Sequence, residues 1–267
     1  MVTVEPGGGL CNRLRTVNSA YFLAKQLNQK LRIVWKLNKE LNCAYEKLFK
    51  KPKNIEILNY RYSFNGERKK WIRTADTILT QEDISLQTER GNRMLPQEFI
   101  DTLGEQIYIN TCQQFMDHPD YHLFVPTEEM QTRIDVVKSN FGNECVGVHI
   151  RRTDSMKSIE TSTTDGFVDA MQRELEKNSH VRFYLATDDL GEEEKIKKEF
   201  PGKVLTLGNK TLDRNSEDGV KDAMVDFMCL AGTKRLIGSY WSSFTDMAAD
   251  FYKIPVYIVG GETDMAQ

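Results

Sequence analysis

The chain has 267 residues, 40% of them hydrophobic and 28% charged, and its 36 lysines and arginines against 39 acids leave a net charge of −3. So much apolar material with nearly balanced charge excludes a disordered chain, and the slight acidity argues against a general nucleic-acid binder. No run approaches 18 consecutive apolar residues, and the start MVTVEPGGGL has neither a basic segment nor an apolar stretch, so neither a membrane-spanning helix nor a secretory leader is expected.

A short strand is expected over residues 2–4, followed by the loop Pro6-Gly7-Gly8-Gly9. Leu14, Val17, Tyr21, Ala24 and Leu27, spaced by three and four, predict a helix over 12–27, and LRIVW predicts a strand over 31–35. Strand, glycine loop, helix and strand make a βαβ beginning. Residues 36–104 are polar and weakly periodic; a strand over 55–58 and a helix over 95–103 are the readable elements. QIYINT predicts a strand over 106–111, and Thr127 can cap a helix running to about 141. The second half is clearer. Strands are expected over 145–150, 181–186, 204–207, 234–238 and 256–259, alternating with helices over about 164–177, 192–200, 218–231 and 243–252. The expected fold is α/β with mainly parallel sheets, in two domains, 1–125 and 126–267. Such sheets bind ligands at the carboxyl ends of their strands, so the residues after each strand are the site candidates.

His149 and Arg151-Arg152 stand at the first of these exits. Guanidinium forks hold phosphate oxygens bidentately and are always charged; the alternative is a solvated basic pair with Asp154 as local partner. At the next exit, Asp188 and Asp189 can bind a sugar, a ribose or a metal, or can cap the following helix. The adjacent acids do not form the D-x-D pattern of metal-dependent sugar transferases, so no metal is expected. After 234–238 comes Ser239-Tyr240-Trp241-Ser242-Ser243; one serine can cap the next helix and another can meet a phosphate. Gly7-Gly8-Gly9 suggests a dinucleotide loop, but Asn12 stands where G-x-G-x-x-G needs glycine, and no acid follows at the right distance. The loop can instead be a tight turn, or allow close backbone approach to a ligand with charge from Arg13 and Arg15. The five cysteines form no C-x-x-C pair, and Cys145 and Cys229 sit in apolar runs as core residues. His118 and His122 have helical ligand spacing, but Pro119 between them favours a loop.

Gly7–Leu14 (GGGLCNRL) resembles the glycine-rich motif of the fucosyltransferase superfamily. VGVHIRRTD, ending at Asp154, looks like the H-x-R-R-x-D motif of the α-1,6-fucosyltransferases, the N-glycan core and bacterial nodulation enzymes. FYLATDD, ending at Asp189, and the run from Ala223 to Ala249 look like the two further motifs, in the same order. The resemblance implies a GT-B-type pair of Rossmann-like domains and a metal-independent, inverting transfer of fucose from GDP-fucose. It places His149 and Asp226 at guanine or ribose, Arg151 and Arg152 at the diphosphate, and Ser242 and Ser243 near the phosphates. Asp188 or Asp189 would shape the nucleotide site, and Gly8, Gly9 and Asn12 join the donor-binding set. Glu160 is the implied general base, although its spacing departs by about one residue. Asp154 and Asp165 are the other candidates. The lysine expected directly after T-D is displaced: Ser155 stands there, with Lys157 two residues later.

The expected partners are a nucleotide-sugar donor and a glycan acceptor, with no nucleic acid, in a cytoplasmic setting. The alternatives are a transferase for another GDP-sugar and a non-catalytic nucleotide- or glycan-binding module.

Overall fold

A computed structural model describes residues 1–61, 65–88, 93–117, 120–153 and 155–261. His118, Pro119 and Asp154 therefore lie outside the described residues. The chain divides into two compact units. The first comprises 1–127 and 213–221, the second 128–212 and 222–267. The expected boundary, after residue 125, falls two residues short of this break, and the return of 213–221 to the first unit was not anticipated.

In the first unit, β1 (Val2–Pro6), β2 (Leu31–Lys36), β3 (Ile55–Tyr60), β4 (Thr77–Thr80) and β5 (Ile107–Thr111) form a parallel sheet ordered β3-β2-β1-β5-β4. β1 is central and buried throughout, which is why it reads as an unbroken short strand. Helix α1 (Leu10–Gln26) starts two residues earlier than its apolar stripe suggests, directly from the glycine loop. The polar stretch holds α2 (Tyr45–Leu48), α3 (Asn65–Thr74), α4 (Gln81–Gln87) and α5 (Gln97–Ile100). The helix expected over 95–103 shrinks to α5, whose start is set by Pro96 at its N-cap.

Arg13 braces this unit rather than offering charge to a ligand. Its side chain is fully buried. The guanidinium donates to the Gly8 carbonyl at 2.8 Å, to the Lys36 carbonyl and to Asn38 Oδ1 at 3.0 Å, and lies over the Trp35 ring, 5.1 Å from its centroid. Burial pushes its pKa down to about 10. One side chain thus ties the glycine loop to the end of β2. Gly8 holds a left-handed φ of 74°, and a Cβ there would lie 2.7 Å from Asn12 Nδ2.

The second unit contains α6 (Glu128–Lys138), β6 (Cys145–Ile150), α7 (Met156–Thr161), α8 (Thr164–Lys177), β7 (Arg182–Thr187), α9 (Leu190–Glu199), β8 (Val204–Leu205), most of α10 (Glu217–Ala231), β9 (Leu236–Ser239), α11 (Ser243–Tyr252) and β10 (Val256–Val259). Its sheet is parallel, ordered β10-β9-β6-β7-β8. Strand alternation gives it two faces. Val146, Val148, Ile150, Phe183, Leu185 and Ile237 pack with Phe167 and Met171 of α8 and Ile196 of α9. His149 points to the opposite face, where Thr245 of α11 packs directly on Gly238, leaving no room for a Cβ. Cys145 and Cys229 are buried thiols pushed up to about 12 by desolvation, as expected of core residues. Both units are Rossmann-like.

The Arg13 brace makes a stability prediction. Arg13→Met should lower unfolding stability by about 3 kcal/mol, because three acceptors lose a charged donor. Urea denaturation reads this directly; a change below about 0.5 kcal/mol would show that the brace is dispensable.

Candidate functional site

In the second unit the chain runs from β6 outward through β7 to β8, then returns to the other side of β6 with β9 and β10. The order therefore reverses between β6 and β9, and the crevice beyond their carboxyl ends is where an open parallel sheet takes a ligand. His149, Arg151 and the 239–243 turn all converge there.

The exit of β6 is held from both sides. The Arg151 N–H donates to Ser239 Oγ at 2.9 Å, and Ser239 Oγ donates to the His149 carbonyl at 3.2 Å. The next N–H, of Arg152, donates to Asp188 Oδ1 at 2.7 Å. Thr153 Oγ1 donates to the other oxygen of Asp188 at 2.7 Å. Burial opposes ionisation of Asp188, but the Thr153 and Arg152 hydrogen bonds and the nearby Arg151 charge outweigh it and hold the carboxyl below its usual range. Asp188 is thus an anchor for the β6 exit. Asp189 caps α9, accepting from the Glu192 N–H at 2.8 Å.

The two arginines part company. The expected paired phosphate forks do not fit Arg152, whose donors are all engaged by protein. Its Nε and Nη2 donate to Glu192 Oε1 at 3.1 and 2.9 Å. Nη1 donates to the carbonyls of Arg151 and Ser162, both at 3.0 Å, and Nη2 also reaches Thr164 Oγ1 at 3.3 Å. The pair is buried, with side-chain exposures of 11% for Arg152 and 4% for Glu192, and the guanidinium lies over the Phe167 ring. Arg152 is a buried ion-pair partner that knits the β6 exit to α8 and α9. Arg151 is half-buried, with its backbone N–H held by Ser239 of β9.

At α11, Ser242 is the N-cap, with its Oγ 3.5 Å from the Thr245 N–H, and Ser243 is the first helical residue. Of the two serines, Ser243 is the one that does not serve as the helix cap. The His149 ring is set by Thr245 Oγ1, 2.8 Å from Nδ1, and stacks on Phe244 with centroids 4.8 Å apart. An anion in this crevice would meet the amides at the start of α11 and their positive dipole end.

Asp226 lies in the core of α10. Tyr184 Oη donates to its Oδ1 at 2.5 Å, and Lys210 Nζ is 3.6 Å from Oδ2. Lys210, only 3% exposed, also approaches Glu193 Oε2 to 3.0 Å, off the line a good hydrogen bond needs. Desolvation raises the Asp226 pKa to about 6, against the opposing pull of Lys210 and Tyr184. Both carboxylate oxygens have protein partners, so the expected guanine or ribose contact would have to compete with them. Glu160 is exposed on α7, and Asp165 is exposed in the first turn of α8. Gly8, Gly9 and Asn12 belong to the first unit, where Gly9 is the N-cap of α1 and a Cβ on it would meet open space.

Sequence reasoning missed Ser239 as an anchor, and Glu192, Thr164 and Lys210 altogether. The serine belongs to the recognised turn, where a cap or a phosphate contact was expected rather than a backbone anchor; the ion-pair partners carry no local signal. Among the described residues no group of three or more His, Cys, Asp or Glu is placed to hold a metal ion, and no helix is long and apolar enough to cross a membrane.

Two stability predictions follow from these buried charges. Glu192→Ala should destabilise by about 3–5 kcal/mol, because it leaves the Arg152 charge buried and unpaired; an unfolding midpoint equal to wild type would contradict the assignment. Folded Asp226 keeps its proton up to about pH 6, whereas the unfolded chain releases it near its ordinary 3.8. Stability from this group therefore falls as pH rises through that window. Asp226→Asn should flatten the decline between pH 4 and 6.5 in denaturant midpoints, and an unchanged profile would refute the assignment.

No family model and no curated protein matches the chain. Solved structures do. The Bradyrhizobium α-1,6-fucosyltransferase NodZ, soaked with GDP-fucose, is similar over 96% of this chain and 93% of its own, at 16% identity and a TM-score of 0.64. An Arabidopsis thaliana FUT1 variant in complex with GDP is similar over 96% of this chain and 69% of its own, at 14% identity and a TM-score of 0.64. POFUT1 in its apo form matches over 97% of this chain and 98% of its own, at 10% identity and a TM-score of 0.60. At these identities the likeness is one of fold. The chain has the α/β, GT-B-like fold of two Rossmann-like units that these fucosyltransferases share.

Proposed function

We propose that the protein is a glycosyltransferase that moves fucose from GDP-fucose to a glycan acceptor, inverting the anomeric centre without a metal. The observation that carries this reading is the β6–β9 crevice, where Arg151 stands beside the serine turn that opens α11, in a fold shared with enzymes crystallised with GDP or GDP-fucose.

As the bond from fucose C1 to the β-phosphate oxygen breaks, negative charge grows on the diphosphate. Arg151, together with the amides and the Ser243 hydroxyl at the start of α11, stabilises that charge more in the transition state than in the ground state. Arg152 acts through its neighbours: it holds the Arg151 carbonyl and is a positioning residue rather than a phosphate ligand. His149, locked by Thr245 and Phe244, lines the nucleotide side of the crevice. Glu160 takes the proton of the attacking acceptor hydroxyl, which reaches C1 from the side opposite the leaving diphosphate. A transferase for another GDP-sugar is the neighbouring reading, since cations at a diphosphate do not read the sugar.

Arg151→Ala should lower turnover by roughly 10²-fold or more with folding intact. GDP release from GDP-fucose, measured with and without acceptor and with and without chelator, tests this. Near-normal turnover in the variant, or turnover abolished by chelator, would overturn this account of leaving-group stabilisation.

A further inference from the structure

The turn between β9 and α11 carries an aromatic residue that the nucleotide contacts do not use. Trp241 is 66% exposed, although it sits at the crevice directly before the cap Ser242. Its φ is +54°, in the left-handed region where a bulky side chain is uncommon. Such strain is kept where the surrounding structure holds it, and marks a position worth a functional explanation. The hold is visible. The neighbouring Tyr240 N–H donates to Ser162 Oγ at 2.8 Å, and Ser162 Oγ in turn donates to the Val259 carbonyl at 2.6 Å. The turn is thus pinned to the exit of β10 while its indole is presented outward.

The ring face is already used as an electron-rich surface: the Lys157 ammonium lies 4.5 Å from its centroid. A ring that attracts a cation also attracts positively polarised C–H groups, because both respond to the negative face of the π-system. A pyranose presents such C–H groups on one face, and a 6-deoxy sugar adds a methyl group. A diphosphate seated at the start of α11 would project its sugar past this same turn.

We infer that Trp241 is the stacking platform for the sugar of the nucleotide-sugar donor, and that it favours a 6-deoxyhexose such as fucose. The inference rests on the donor reading given above and goes beyond it by naming the residue that distinguishes the sugar. On binding, the pyranose takes the place of the Lys157 ammonium on the ring face.

Calorimetric titration of wild type, Trp241→Ala and Trp241→Phe with GDP, GDP-fucose and GDP-mannose tests this, with thermal unfolding as the folding control. In Trp241→Ala, GDP-fucose should bind about tenfold more weakly while GDP stays within twofold, and the preference for GDP-fucose over GDP-mannose should shrink. Trp241→Phe should restore most of the loss. An equal loss for GDP and GDP-fucose would overturn the inference, because the ring would then serve the base or the turn. Unchanged binding of all three would overturn it as well. If wild type binds GDP and GDP-fucose with equal affinity, the sugar platform fails while the nucleotide site stands; if wild type binds no GDP, the transferase reading itself fails.

Discussion

Strand β6 of the second unit ends at Ile150, and the next two peptide N–H groups must find acceptors elsewhere. Ser239, from β9, takes the first, and Asp188, just beyond β7, takes the second. This split dictates the rest of the site. The backbone of Arg151 is fixed to the β9 side, at the switch in strand order, and that of Arg152 to the β7 side, where Glu192 and Thr164 receive its guanidinium. Two adjacent arginines that look equivalent in the chain thereby acquire different surroundings.

Buried charge recurs throughout the molecule, each time with compensating partners. Arg13 sits over Trp35 and holds the glycine loop; Arg152 sits over Phe167 with Glu192. Lys210 lies between Glu193 and Asp226. Ion pairs of this kind add little net stability compared with well-packed apolar residues, but removing one partner is expensive. Their effect here is positional: each ties a loop to an element that the sheet alone would not constrain.

Much of the second unit was legible because its strands are short apolar runs with clear ends. CVGVHI matches β6, and both α11 and β10 have the expected bounds. The Asp189 cap was readable from an acid standing just ahead of a helix. The first unit was harder for physical reasons. β4 is a four-residue edge strand with only Leu79 buried, and α3 is rich in lysine and arginine. The capping box from Thr80 to Asp83 was a usable signal for α4 and was not used. The different positions of Arg151 and Arg152 were not legible, since the partner that decides them, Glu192, lies forty residues away and looks like any helix acid. The strained backbone of Trp241 leaves no mark in composition or periodicity.

The central claim is that Arg151 serves the nucleotide diphosphate while Arg152 serves the protein. The most direct measurement is calorimetric titration of GDP into Arg151→Met and into the double variant Arg152→Met/Glu192→Met, which removes the buried pair together and strands no charge. The account predicts that Arg151→Met loses GDP binding by at least tenfold and that the double variant, shown to be folded, stays within about fivefold of wild type. A double variant that loses GDP while Arg151→Met retains it would contradict the account.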